Sequence, residues 1–345
     1  MHYEMTKTYT IAIYTFLLFL SSCTPKTVKQ ITLNFHKEGK LNGAVLITKK
    51  GKIICDTVLG YKNFDKEIIL DQNTSFYLAS LSKPITAIGV MLMQQDGLLS
   101  YEDKASKYIK HLPIYARNIT IRQLLNHTSG IPDYEQTLSS STHRLNNEDV
   151  LSFVQQQPGL KFPSNTQFEY SNSGYIILSE IIEAISKQSY SDYIQEKIFT
   201  PLQMQHTFVF TNELLYLPDH AIGYNHKKEL DDYNLSTTGD GGIYSTTKDL
   251  YKLDQALRNN QLLNKSNSLF IYKLPLLKDG TESSYAFGWF VDKKRAVFHT
   301  GGLNGFKNLF WRDLDSNTCI IVLTNQGDAF PVYSYLDEIK EVLCK

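Results

Sequence analysis

The sequence predicts an α/β (α+β) protein, an antiparallel sheet flanked by helices with a helical block inserted into it. Three observations carry that expectation. Short apolar runs of strand length gather near both ends of the chain, at Gly43–Gly60 and between Tyr285 and Thr324. The residues between, from about 103 to 233, read as helices and loops with little strand character. Strands at both ends with helices between them imply one α/β body built from the two chain termini. That body takes residues 31–102 and 234–345, with 103–233 as the helical insertion. A chain of 345 residues is long enough for about two domains or one large catalytic unit.

The elements follow in order. Residues 1–10 are polar, and Ile11–Leu20 is an apolar run interrupted by Thr15. A membrane-spanning helix needs roughly 20 apolar residues, so residues 1–22 fit a signal peptide better. The run ends Leu20-Ser21-Ser22-Cys23, small residues before a cysteine, which resembles a bacterial lipobox. Cys23 is then lipidated and residues 23–30 form a polar tether, placing the protein in the cell envelope on a membrane surface. Ordinary signal cleavage at nearby small residues is the plainer alternative.

Ile31–Glu38 reads as a short helix and Gly43–Gly60 as a hairpin turning at Lys49-Lys50-Gly51-Lys52. A short strand at Phe76–Ala79 runs into a helix that Gly97 stops. Ile119–Asn126, Asn147–Gln156, Gly174–Ser186 and Tyr190–Phe199 are the helices of the insertion. Gly239-Asp240-Gly241-Gly242 reads as a flexible turn before Ile243-Tyr244-Ser245, and Thr246–Asn259 as a helix. Four strands are expected at Tyr285–Val291, Ala296–Thr300, Asn308–Asp313 and Cys319–Thr324, closed by a helix over Tyr333–Leu343.

Lysine plus arginine and aspartate plus glutamate each number 35. That balance, without a long basic block, argues against a nucleic-acid partner. Beyond Cys23 there are Cys55, Cys319 and Cys344. Cys55 and Cys319 fall in strand-like runs and read as buried apolar residues rather than a disulfide. No Cys-x-x-Cys or His-Glu-x-x-His occurs, so neither a metal nor a cofactor has support in the sequence.

The chemistry-bearing residues come in three groups. Ser80 and Lys83 stand three apart where the short strand becomes a helix, so hydroxyl and amine share one face. An amine beside a serine is one way to make the hydroxyl nucleophilic. Alone, Ser-x-x-Lys is a chance-level pattern, equally readable as a helix cap and a solvated lysine. Tyr170-Ser171-Asn172 stands on a loop before a helix. A tyrosinate could act as base if a nearby ammonium lowered its pKa, and Asn172 can both donate and accept. By itself this reads as a polar loop with a packing tyrosine. His299-Thr300-Gly301-Gly302 ends an apolar strand, where glycines admit close backbone approach and N–H groups can hold an oxyanion. By itself it reads as a turn. The remaining histidines look scattered, and His127 is assigned a hydrogen-bonding role rather than catalysis.

Taken in this order, Ser-x-x-Lys, Tyr-x-Asn and His-Thr-Gly resemble the serine β-lactamase and penicillin-binding-protein superfamily, in particular the class C β-lactamase-like serine hydrolases. The resemblance runs from Gly43 to the end. It implies the β-lactamase/transpeptidase-like fold, with the cleft between the sheet and the helical domain. It also implies that Ser80 becomes acylated and that Lys83 and Tyr170 share the proton work, with Tyr170 as base. Asn172 would orient the substrate, the N–H groups of Ser80 and Gly302 would form the oxyanion hole, and His299 and Thr300 would line the substrate strand beside Gly301.

Position 299 departs from the pattern, because β-lactamases and many peptidases of the family carry lysine there. Histidine is only partly charged near neutral pH, so an anchor for a substrate carboxylate is weaker. The expected substrate is therefore a small-molecule ester, or a peptide or cell-wall fragment recognised differently, rather than a β-lactam. A D-Ala-D-Ala carboxypeptidase or D-amino-acid peptidase, a β-lactamase, and an inactive envelope-binding protein of the same fold are the alternatives. No Gly-x-Ser-x-Gly elbow occurs, which argues against another serine hydrolase architecture.

Overall fold

The computed structural model describes residues 26–138, 144–211, 218–231, 233, 235–292 and 296–344. Cys23 and the apolar run before it lie outside the described residues. The first helix, α1 (Val28–Lys37), begins three residues earlier than the sequence suggests. Thr27 accepts from the Gln30 backbone and Gln30 returns the bond, a capping box that satisfies two helix-end donors. Residues 28–30, read as tether, therefore belong to the first helical turn.

The main sheet has six strands: β1 (Gly43–Lys49), β2 (Lys52–Leu59), β3 (Phe290–Val291), β4 (Ala296–Leu303), β5 (Phe306–Asp313) and β6 (Thr318–Thr324). Their spatial order is β2-β1-β6-β5-β4-β3, every pair antiparallel. The N-terminal hairpin thus zips onto the last strand, Val45 opposite Val322 and Leu46 opposite Ile321. Successive strand residues face opposite sides, and two cores form accordingly. Val45, Ile47, Ile320 and Val322 pack with Phe35 of α1 and Tyr335 of α5 (Val332–Leu343). Leu46, Ile321 and Leu323 face the other way, into a larger core with Ile85 and Ile88 of α2 (Lys83–Gln95) and Leu250 and Leu253 of α4 (Thr247–Arg258). Cys55 and Cys319 are buried and free, and Cys344 is exposed.

The strand expected over Tyr285–Val291 is shorter. A turn at Ala286–Trp289 folds it back, Tyr285 bridging Phe290, so only Phe290–Val291 joins the sheet. The block between the strands holds helices Ile121–Leu125, Asn147–Gln156 and α3 (Asn172–Ser186). The expected helix at Tyr190–Phe199 is α-helical to Ile194 and continues as a wider π turn over Gln195–Phe199. Strand character returns at Phe208–Val209, which joins Phe76–Tyr77 and Ile243–Ser245 in a small antiparallel sheet. Among the described residues, no helix is long and apolar enough to cross a membrane.

Candidate active site

Ser80 sits in a 3-10 turn, Ala79–Ser82, directly before α2. Ala79 holds the left-handed conformation, φ 50°, unusual for a residue with a Cβ. Strain of this kind persists only where the surroundings over-determine it. Here they do: the buried Asn308 amide of β5 donates to the Tyr77 and Leu78 carbonyls at 2.9 and 3.3 Å. On the other side β4 presses its backbone against the turn. A Cβ on Gly301 would lie 2.0 Å from the Leu78 carbonyl oxygen, so only glycine lets strand and turn meet.

Lys83, the first residue of α2, is fully buried. Its ammonium nitrogen donates to Ser80 Oγ at 3.1 Å, Asn172 Oδ1 at 2.7 Å and the Asp240 carbonyl at 2.8 Å. All three acceptors are uncharged. Burial lowers its pKa to about 8, against the opposing pull of Asp240, Asp133 and Glu135.

The Asp240 carbonyl comes from the glycine-rich turn, which is packed rather than loose. Gly239 adopts φ 95°, and a Cβ there would meet the Tyr175 carbonyl at 2.5 Å. Thr86 of α2 donates to the Gly239 carbonyl at 2.6 Å. The Asp240 side chain is buried and accepts from the Tyr134 hydroxyl at 2.8 Å; among the described residues its Oδ1 closes no hydrogen bond of good geometry, although Thr237 lies near enough to favour ionisation. Burial raises its pKa, with Lys83 opposing.

Asn172 is the first residue of α3, with Ser171 as its cap. Its side-chain amide donates to Asp133 at 3.2 Å and to Glu135 at 2.6 Å, leaving its oxygen aimed at Lys83. The Asp133 carboxylate also takes the Asn172 backbone N–H at 2.9 Å. Glu135 is exposed at the rim, but its carboxyl end turns inward onto Asn172, where burial and then Asp133 raise its pKa.

Tyr170 is packed against this centre, with Lys83 Nζ 4.8 Å from its ring centroid. Its hydroxyl is buried and closes no hydrogen bond of good geometry, although Ser80 lies near enough to favour ionisation. Burial dominates and drives the phenol well above its ordinary pKa. The expected tyrosinate is therefore not what the free site holds. The ammonium faces the ring rather than the oxygen, and its hydrogen bonds go elsewhere.

His299 is buried in the same aromatic cluster, 1 % exposed. Nδ1 donates to the Thr300 carbonyl at 2.6 Å, so Nε2 accepts from the Tyr285 hydroxyl at 3.1 Å. Burial, then Lys83, pushes its pKa down to about 3. It is neutral rather than partly charged at neutral pH. His127 is also buried and neutral, its Nδ1 accepting the Ser171 backbone N–H at 3.1 Å and its ring 4.3 Å from that of Tyr170. This is the hydrogen-bonding role assigned to it.

Ser80, Asn172 and Gly302 line one small cleft with Glu135 and Asp240. Lys83 and His299 lie buried beside it, and Tyr170 is half-buried with its hydroxyl inside. Gly301 supports the Ser80 turn, and Thr300 accepts from His299. Asp133, Glu135 and Asp240 were not found from sequence. Their signals were faint: two acids just after His127–Pro132 and one among glycines.

A buried lysine on a serine, beside a tyrosine and an asparagine from a second element, brings the three sequence motifs to one cleft, the arrangement that the resemblance to penicillin-binding proteins implies. Comparison with known proteins agrees. The family model described as Beta-lactamase matches residues 28–340. Penicillin-binding protein 4* of Bacillus subtilis (strain 168) is 34% identical over 314 residues, 84% of this chain and 69% of its own length. Protein flp of Staphylococcus aureus (strain MW2) is 31% identical over 315 residues, 85% of this chain but 61% of its own length. A D-amino acid amidase from Ochrobactrum anthropi SV3 superposes with a TM-score of 0.79 at 23% identity, covering 92% of this chain and 97% of the amidase, and so shares the fold. The chain belongs to the Beta-lactamase family. It is a penicillin-binding-protein-like serine hydrolase with the β-lactamase/transpeptidase fold.

Proposed function

We propose that the protein cleaves an ester, or an amide or peptide bond, through an acyl-enzyme on Ser80. The observation that carries this is the fully buried Lys83 ammonium, 3.1 Å from Ser80 Oγ, with its pKa lowered to about 8. A base works best when its pKa lies near the working pH. The neutral fraction of Lys83 takes the Ser80 proton as Oγ attacks the carbonyl. The N–H groups of Ser80 and Gly302 hold the resulting oxyanion. Lys83 then passes that proton to the departing alcohol or amine, with the neutral Tyr170 phenol near Ser80 as hydrogen-bond donor to the leaving group. In deacylation water replaces the leaving group, neutral Lys83 takes its proton, and Ser80 Oγ regains it as the acyl bond breaks. Asn172 fixes Lys83 on one side and faces the substrate on the other.

A neutral His299 supports esters or peptides over β-lactams, since no lysine stands there to hold a carboxylate. The names of the relatives and the amidase fold support peptide or amide bonds with cell-wall character as the second reading. We place the protein in the bacterial cell envelope, anchored through lipid on Cys23, on the lipobox-like residues before it. The test is an active-site-directed fluorophosphonate read by intact mass. A single adduct on wild type and none on Ser80→Ala is expected, and no adduct on either under any condition refutes the acyl-enzyme.

A further inference from the structure

Lys83 works as a base only if its lone pair faces Ser80. A neutral amine has two N–H groups and one lone pair. Asn172 Oδ1 lies 2.7 Å from the Lys83 nitrogen and the Asp240 carbonyl 2.8 Å from it. Those two acceptors take the two N–H groups, and the lone pair is left for the Ser80 hydroxyl at 3.1 Å. The Asp240 carbonyl is backbone and always accepts. The Asn172 amide has two faces, because a half-turn exchanges its oxygen for a donating NH2. Turned over, it would donate to the lone pair and quench the base.

The half-turn is opposed from the far side of the amide. Its NH2 donates to two carboxylates, Asp133 Oδ2 at 3.2 Å and Glu135 at 2.6 Å. In the turned amide an oxygen would face both of them. The two acids are not equivalent. Glu135 is exposed and meets Asn172 through one hydrogen bond. Asp133 is half-buried and held at both oxygens. Its Oδ1 accepts the Glu135 backbone N–H at 2.9 Å, an Asx-type turn. Its Oδ2 accepts the Asn172 backbone N–H at 2.9 Å as well as the amide. That N–H is the first of α3 and has no partner within the helix. One oxygen thus ties the backbone and the side chain of Asn172 together. The neighbouring residues are fastened in the same way. His127 takes the Ser171 N–H at 3.1 Å, and the Tyr134 N–H donates to Ser173 Oγ at 3.0 Å.

We propose that Asp133 is a positioning residue for acyl transfer: it keeps the Asn172 amide turned with its oxygen on Lys83, and so leaves the lysine lone pair on Ser80. The inference rests on the acyl-enzyme reading and adds to it a residue that acts through Asn172.

Phosphonate labelling isolates the acylation step and gives a maximal rate and a half-saturating concentration. It is followed at pH 9.5, where Lys83 is largely neutral and the Asp133 charge, which favours the ammonium, drops out of the comparison. Asp133→Ala should lower the maximal rate about 10–100-fold, the scale of a catalytic group held out of line. Half-saturation should stay unchanged, because the loss is in the base and not in binding the reagent. Asp133→Asn keeps the shape but offers one acceptor oxygen in place of two. It should fall between the two, and it serves if the alanine variant does not fold. In an Asn172→Ala background, Asp133→Ala should cost less than about twofold, since the amide it orients is gone. The full loss in that background overturns the assignment. So does a fall in thermal midpoint with the maximal rate unchanged. A second readout needs no activity: the Asn172 side-chain amide in a 15N–1H spectrum, identified by its absence in Asn172→Ala. Its protons should exchange slowly in wild type and fast in Asp133→Ala. Fast exchange in wild type overturns the clamp whatever the labelling shows. Slow exchange that Asp133→Ala abolishes, with no phosphonate adduct on wild type, leaves the clamp standing and overturns the acyl-enzyme.

Discussion

Lys83 and His299 are buried alike, and burial works on them in opposite functional directions. Desolvation disfavours the charged form of either group. In Lys83 it is partly offset by Asp240, Asp133 and Glu135, and the amine settles at about 8. In His299 the neighbouring Lys83 adds to it, and the imidazole falls to about 3. The lysine becomes a base near neutrality, and the histidine becomes a neutral link between Thr300 and Tyr285. A prediction for the pH profile follows. The reactive form of Lys83 is the neutral one, which grows as pH rises. For an uncharged ester, log kcat/KM should therefore climb with unit slope below about pH 7 and level off above about 8. His299 is already neutral across that range and adds no inflection. Stopped initial rates from pH 5.5 to 9.5 check it, and a midpoint near 6.5 would transfer the base to a histidine.

Three elements meet at Ser80: the turn Ala79–Ser82, strand β4 and the start of α3. The sequence motifs mark one point on each, and they were legible because each is local: a serine three before a lysine, a tyrosine two before an asparagine, glycines ending a strand. What converges with them from farther away left no local trace. Asp240 reads as one residue of a loose turn until Thr86 is seen holding the Gly239 carbonyl and Lys83 the Asp240 carbonyl. Tyr285–Val291 has strand composition, but a turn at Gly288, φ 82°, folds Tyr285 back over Phe290. Gly301 is the case where a motif residue has an element-scale cause. With the Leu78 carbonyl 2.0 Å from where a Cβ would sit, Gly301→Ala must push β4 off the turn. The expected cost is about 1–3 kcal/mol, typical of overpacking. Because the turn carries Ser80, phosphonate labelling should slow by far more than the stability loss explains. Labelling rate and thermal midpoint, compared with a Gly159→Ala control whose Cβ meets nothing within 4 Å, decide whether the glycine serves the site.

At the scale of the whole molecule, the sheet is assembled from chain segments more than two hundred residues apart, and the pattern of strands at both ends made that assembly legible. The fastening that holds the late strands to α4 was not, because it is a buried charge cluster whose members give no signal singly. Arg312 of β5 and Asp254 of α4 are both fully buried. Arg312 Nε donates to Asp254 Oδ1 at 2.6 Å, and Arg258 Nε reaches Oδ2 at 2.9 Å. Arg258 also caps the Asp313 and Thr318 carbonyls at the β5–β6 turn, and Arg312 bonds the Tyr272 hydroxyl. Burial alone would raise the Asp254 pKa, but the two guanidiniums outweigh it and hold the carboxyl below its ordinary value. Removing one partner of such a pair strands the others, at about 3–5 kcal/mol. Asp254→Ala should therefore lower the denaturation midpoint strongly at pH 7 while a phosphonate still labels the folded fraction, since the cluster makes no contact with Ser80 or Lys83. The sign with pH is fixed by the direction of the shift. A carboxyl with a depressed folded pKa stabilises above its unfolded value of about 3.9 and loses that contribution as pH falls through the folded one. The stability gap between wild type and variant should then be constant from pH 5 to 7 and close in stronger acid. Urea titrations at pH 7, 5 and 3 measure it, and a gap that widened on acidification would mean that Asp254 is protonated in the fold and that the cluster is held by neutral hydrogen bonds alone.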